Sequence, residues 1–121
     1  MNYNIKEDYV SFEVAKLLKN KGFGEKSFAI YDDKGNFIDE LYRFDGQFII
    51  NSILAPTSQM ALKWLREIHK IYISINVNIY KLDNTPRYYI KINNDNLRSV
   101  YMDYYKAVDA AIKFVLEHLI N

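Results

Sequence analysis

A reaction at a protein site needs a nucleophile, a proton carrier, a metal or a phosphate cradle, and each leaves its own residue pattern. This 121-residue chain has no cysteine. That excludes a thiol nucleophile, cysteine-ligated zinc or iron–sulfur, and a disulfide framework. The two histidines, His69 and His118, have no second histidine or carboxylate at a metal-ligating spacing such as H-x-x-x-H. His69 closes a helical pattern, where the helix dipole favours an imidazolium, and both read as surface or cap residues. No serine sits in a G-x-S-x-G elbow. Gly22-Phe23-Gly24 follows a helical pattern and lacks a third glycine, so it is a helix stop and not a phosphate loop. Asp32 and Asp33 are neighbours at a strand end, where successive side chains diverge, so they read as a solvated turn. A magnesium site would need Asp39 or Asp45 as well, and the spacing does not demand it. The expectation is a non-enzymatic chain, with no catalytic residue, no metal and no cofactor.

The remaining candidate is a surface. Ile71, Ile73, Ile75, Val77 and Ile79 alternate with Tyr72, Ser74, Asn76, Asn78 and Tyr80; Tyr88, Ile90 and Ile92 alternate with Arg87, Tyr89, Lys91 and Asn93. Period two means two strands with one dry face. The expected register sets Ile79 opposite Tyr88, Val77 opposite Ile90 and Ile75 opposite Ile92. Tyr80 would then face Arg87 and Asn78 would face Tyr89. The wet face gathers Tyr72, Asn76, Asn78, Tyr80, Arg87, Tyr89 and Lys91 as candidate binding residues. Aromatic faces, amides and cations stack on and hydrogen-bond flat polar groups, and tyrosine and arginine equally dominate protein interfaces. A protein partner or self-association, a nucleotide or single-stranded nucleic acid, and a simply solvated face all stay open. The third has a specific cause, since Asn, Ile, Lys and the 11 tyrosines are what AT-rich codons specify.

Other elements must hold that hairpin in place. Residues 11–22 read as a helix capped by Ser11, with Val10 as a staple against Ala15, Val14, Leu17 and Leu18 as its apolar stripe, and Gly22 as a left-handed stop. Residues 27–32 and 37–44 read as strands joined through Gly35, and Gln47–Ile53 as a third. Thr57 caps a second helix with Ala61, Trp64, Leu65 and Ile68 on one face. Asp103 caps a terminal helix over 103–120, lined by Tyr104, Val108, Ala111, Ile112, Val115 and Leu119. Asp109 stands four residues before Lys113, the favoured order for an ion pair. The order α-β-β-β-α-β-β-α predicts a single α+β domain over 1–121, two-layered, with an antiparallel sheet and three helices. Trp64, Leu65, Ile68, Ile75, Val77, Ile90, Ile112 and Val115 are expected in one buried cluster.

Three stretches resemble a known family. They are Tyr9-Val10-Ser11-Phe12-Glu13-Val14-Ala15-Lys16-Leu17-Leu18, Ala55-Pro56-Thr57 leading into Lys63-Trp64-Leu65-Arg66-Glu67, and the Tyr105–Ile112 start of the last helix. Together they look like a widespread family of small uncharacterised proteins of Bacteroides-type bacteria and their phages. The resemblance implies a phage or mobile-element setting, where small accessory proteins act by binding, and it assigns no residue a catalytic role. Val10–Leu18 is also similar to the opening helix of excisionase-type winged helix-turn-helix proteins. Those place a recognition helix directly afterwards, whereas here a strand pattern follows.

Charge and hydropathy complete the expectation. The net charge of +1 gives no global field toward nucleic acid. No apolar run reaches the roughly 18 residues of a membrane span, and the first fifteen residues are polar and charged, unlike a signal peptide, so the expected compartment is the cytoplasm. With the setting that the resemblance implies, the expected function is that of a phage or mobile-element accessory protein that acts by binding, as an inhibitor or sponge sequestering a host factor or nucleotide signal, and works as a homo-oligomer or on a host protein. Its alternatives are a single-stranded nucleic-acid binder and a small metal-dependent hydrolase.

Overall fold

The computed structural model describes residues 7–25, 27, 29–39 and 52–121. Among these residues nine elements follow in order: α1 (Phe12–Asn20), β1 (Ile30–Tyr31), β2 (Phe37–Ile38), β3 (Ile53–Leu54), α2 (Ser58–Ile68), β4 (Ile73–Ile79), β5 (Pro86–Ile92), β6 (Asp95–Tyr101) and α3 (Tyr104–His118). The fold is α+β, and its strands form two antiparallel sheets, β2-β1-β3 and β4-β5-β6. Strand β6 adds to the elements read from the sequence. Its run Asp95-Asn96-Leu97-Arg98-Ser99-Val100-Tyr101 lacks a clean alternation, and its pairing with β5 shifts register between Tyr89 and Lys91, so period two is broken where it would have been read. The expected strand residues 40–44 and 47–51 lie outside the described residues.

Local chemistry sets the helix limits. Ser11 Oγ accepts from Val14 N–H, Thr57 Oγ1 from Met60 N–H and Asp103 Oδ1 from Lys106 N–H, so each cap satisfies one free donor of the first turn. At the end of α1, Gly22 takes φ +93°, while Phe23 N–H donates to Leu18 O and Gly22 N–H to Lys19 O. That Schellman pattern, with Gly22 as the left-handed stop expected from the sequence, ends the helix at Asn20. Gly35, at φ +87°, turns β1 into β2 against the Phe12 ring. Asp32 is the solvated turn residue: its carboxylate accepts from Lys34 N–H, Asn36 N–H and Asn36 Nδ2.

Helix α3 is central. One side packs on β4, β5 and β6, and it also meets α1 and α2. Ala107, Val108, Ala111, Ile112, Val115 and Leu116 are fully enclosed, with Ile90 and Ile92 of β5 and Val14, Leu18 and Leu65 of the other helices in the same cluster. Polar bonds sew distant parts to this core. Ser11 N–H donates to Asp109 Oδ1 (3.0 Å), Lys21 Nζ to Ile120 O (2.9 Å) and Tyr31 Oη to Val10 O (2.5 Å). The expected Asp109–Lys113 pair is not what forms: Asp109 turns to Ser11, and Lys113 meets Glu13 of α1 at 2.8 Å. Packing of α1 on α3 offers both residues partners across the helix pair.

Two residues of the expected cluster lie outside it. Ile68 is 60% exposed, because α2 turns its last residue off the core, and Val77 is 50% exposed. The hairpin outruns the helix beneath it. Tyr104, the first residue of α3, edges against Tyr88 at 5.7 Å, and Val77 and Ile79 are exposed with it. Tyr104 and Leu119, at the two ends of α3, are likewise exposed.

Candidate functional site

The β4–β5 register differs from expectation by two residues. Ile73 faces Ile92, Ile75 faces Ile90, Val77 faces Tyr88 and Ile79 faces Pro86. A two-residue slip preserves which side chains are dry, because the side-chain period is two, but it changes every wet neighbour. Arg87 lies opposite Asn78, and Tyr89 opposite Asn76; Tyr80 does not face Arg87 directly. The loop explains the slip. Tyr80 N–H donates to Thr85 O and Asn84 N–H to Tyr80 O, with Asn84 at φ +58°, so Lys81–Asn84 form a four-residue turn closing on Tyr80 and Thr85.

All seven candidate residues stand on one face of the β4-β5-β6 sheet. Tyr72 is tied to Asn93, whose backbone N–H donates to Tyr72 O (2.7 Å) while its side-chain Oδ1 accepts from Tyr72 N–H (3.0 Å). Asn76, Asn78 and Tyr80 are exposed, and Tyr89 and Lys91 are half-exposed on β5. Behind them Ile90 and Ile92 are buried, so the central strand of this face is anchored.

Arg87 is occupied within the chain. Its Cζ lies 4.5 Å from the Tyr80 ring centroid, reached diagonally. Its guanidinium donates to Thr85 Oγ1 and to Pro86 O, and lies 3.6 Å from Asp83 Oδ2. Asp83 in turn accepts from Thr85 Oγ1 (2.6 Å) and Thr85 N–H (3.1 Å). Those two Thr85 bonds, and then the Arg87 charge, hold the Asp83 carboxyl below the usual range. The result is a stiffened hairpin tip beside a shallow depression of about 380 Å³ between Tyr80, Leu82, Arg87 and Tyr89. It offers aromatic edges, amides and a neutralised cation, which suit contact with a surface more than capture of an anion.

A second recess was not legible in the sequence. Glu7, Asp8, Ser58, Gln59, Tyr104 and Tyr105 line a cleft of about 170 Å³ at the starts of α2 and α3. Ser58 Oγ is buried there without a partner among the described residues. Burial, then Asp109, Tyr31, Asp8 and Asp103, push the Tyr105 phenol up to about 12. Two helix starts favour negative charge, and Glu7 and Asp8 already supply it. Only the meeting of segments some fifty residues apart makes this cleft, so no local pattern announces it.

His69 caps the end of α2 and stands edge-on to Trp64 at 4.6 Å, with Nε2 buried and unpartnered among the described residues. His118 is exposed beside Phe114. Among the described residues no group of three histidines or carboxylates could hold a metal ion, and no helix is long and apolar enough to cross a membrane. In comparison with known proteins, the chain matches no family model, no curated protein and no solved structure.

Proposed function

We propose that the chain is a non-enzymatic binding protein that docks on a protein partner through the outer face of the β4-β5-β6 sheet, centred on Tyr89 and Lys91. The observation that carries this reading is the combination of exposed tyrosines and amides with a rigid base of buried isoleucines on the central strand. Large side chains pre-organised on a strand lose little freedom on docking, which is what interface hot spots require. The pairing of Arg87 with Asp83 argues against single-stranded nucleic acid, because phosphate binding draws on free cations. Among the described residues, Lys91 has no carboxylate partner within ion-pair distance. The resemblance to phage-associated proteins supplies the proposed setting: a cytoplasmic accessory factor that inhibits or sequesters a host component.

The test is a matched set of three baits in the native cell: wild type, the double variant Tyr89→Ser with Lys91→Ser, and Lys63→Ser. A protein retained by wild type, lost with the double variant and kept by the α2 exterior variant Lys63→Ser supports the reading. Retention by the double variant overturns it. So does salt-dependent binding of a labelled oligothymidylate, which would place the chain among nucleic-acid binders.

A further inference from the structure

Among the described residues strand β4 is a free edge of its sheet, and nothing on it discourages another strand. It has no proline and no charged residue over Ile73-Ser74-Ile75-Asn76-Val77-Asn78-Ile79. Sheet edges in monomeric proteins are ordinarily blunted by charge, proline or a bulge. The opposite edge, β6, carries Asp95 and Arg98 and a register irregularity. At β4, Tyr72 and Tyr80 make their backbone bonds toward β5. By alternation, Ile73, Ile75, Val77 and Ile79 point their N–H and C=O groups away from the sheet. Among the described residues none of these four has a backbone partner on that side.

The edge is complementary to itself. From Tyr72 to Tyr80 the order of residue types is aromatic, apolar, polar, apolar, polar, apolar, polar, apolar, aromatic, which reads the same in both directions about Asn76. We infer that two copies of the chain pair antiparallel through β4, on a two-fold axis through Asn76, joining two three-stranded sheets into one of six strands. Ile73 then meets Ile79 of the second copy, Ile75 meets Val77, Ser74 meets Asn78, and Tyr72 meets Tyr80. Every pair is of one chemical kind, and every outward backbone group of one strand finds its counterpart on the other. Val77 and Ile79, half-exposed because the hairpin outruns α3, gain neighbours that the described residues do not give them. No like charges meet along the seam. A symmetric, isologous contact closes at two copies. This inference is independent of the partner on the outer face, because Tyr89 and Lys91 sit one strand inward from the seam.

The absence of native cysteine makes the register directly testable. On the axis, Asn76 faces its own copy in a non-hydrogen-bonded pair, with Cα atoms about 4.5 Å apart, inside the range a disulfide spans. Asn76→Cys should therefore give a covalent dimer on mild oxidation, and Lys63→Cys on the α2 exterior should not. Wild type should sediment at twice 14.4 kDa. Val77→Lys, and separately Ile79→Lys at the more peripheral position, should each raise the dissociation constant more than about tenfold with unchanged circular dichroism. A wild-type chain that stays monomeric at high micromolar concentration overturns the inference. So does a dimer that survives both lysine variants, or one that Asn76→Cys fails to cross-link. Tyr89→Ser with Lys91→Ser should leave the dimer intact, so loss of the outer-face partner and loss of the dimer are separate results.

Discussion

Tyr31→Phe probes how the small sheet is fastened to α1. The Tyr31 hydroxyl donates to Val10 O at 2.5 Å, and Val10 is fully buried just before the Ser11 cap. The ring packs between Phe12 at 5.4 Å and Phe37 at 5.5 Å, and phenylalanine keeps those contacts. The substitution thus removes one hydrogen bond and leaves a buried carbonyl without that partner, a loss of about 1–2 kcal/mol. For a chain of this size that lowers Tm by roughly 4–10 °C. Urea unfolding followed by fluorescence of Trp64, which is buried, reads the change directly. The midpoint should fall while the slope stays constant. A pH series adds an internal control. Burial, and then Asp109, raise the Tyr31 phenol above 10.0, so the folded state holds that proton more tightly than the unfolded state. Wild type therefore loses this contribution as pH rises past 10.0, and the gap to Tyr31→Phe should narrow there. A loss below about 0.3 kcal/mol at neutral pH would refute the argument, since it would mean that the Val10 carbonyl does not depend on the hydroxyl.

Leu65→Ala, at a position with no exposure on α2, should cost about 2–5 kcal/mol in the same urea assay, and a loss under about half a kcal/mol would mean that α2 is not part of the core. The Asp83 carboxyl should titrate below 3.8 by NMR, because Thr85 and then Arg87 favour its charged form; Thr85→Ala should move it upward, and the tip's contribution should be present above 3.8 and fade as pH falls through the lowered value. Tyr105, pushed up to about 12 chiefly by burial, should make stability fall as pH climbs from the ordinary tyrosine range toward that value, and Tyr105→Phe should flatten the alkaline limb of a stability–pH curve. Replacing His69 and His118 together by Gln should leave partner binding unchanged; a folded double variant that loses function would point to catalysis.

The α+β architecture was legible because caps and periodicity are local. Ser11, Thr57 and Asp103 each hold a helix start as their types suggest, and the alternation from Ile71 to Ile79 marked β4 and its two faces. Register was not legible to the residue. Apolar-on-apolar matching is satisfied by any even slip, and only the four-residue turn at Lys81–Asn84 selects the pairing of Val77 with Tyr88. Exposure of Val77 and Ile68 was hidden for a related reason, since a period says which way a side chain points and not how far the covering helix reaches. Strand β6 escaped because its bulge breaks the alternation. Of the candidate face, the seven residues and their common side were readable; the engagement of Arg87 by Asp83 and Thr85 was not, because it depends on how the turn folds back.

The central position of α3 has a consequence for how the protein is made. Both sheets leave the ribosome before α3 does, yet the inner surface of β5 is covered chiefly by that helix. Helix α1, synthesised early, finds Asp109 only 98 positions later and Ile120 99 positions after Lys21. Contacts so distant in sequence slow folding, and a nascent chain short of residue 104 carries a bare isoleucine surface next to an unblunted strand. On a crowded polysome such chains sit close together, and the same edge can pair before its own helix arrives. Synthesis of this protein should accordingly lean on a chaperone that masks extended apolar segments until α3 is free to dock.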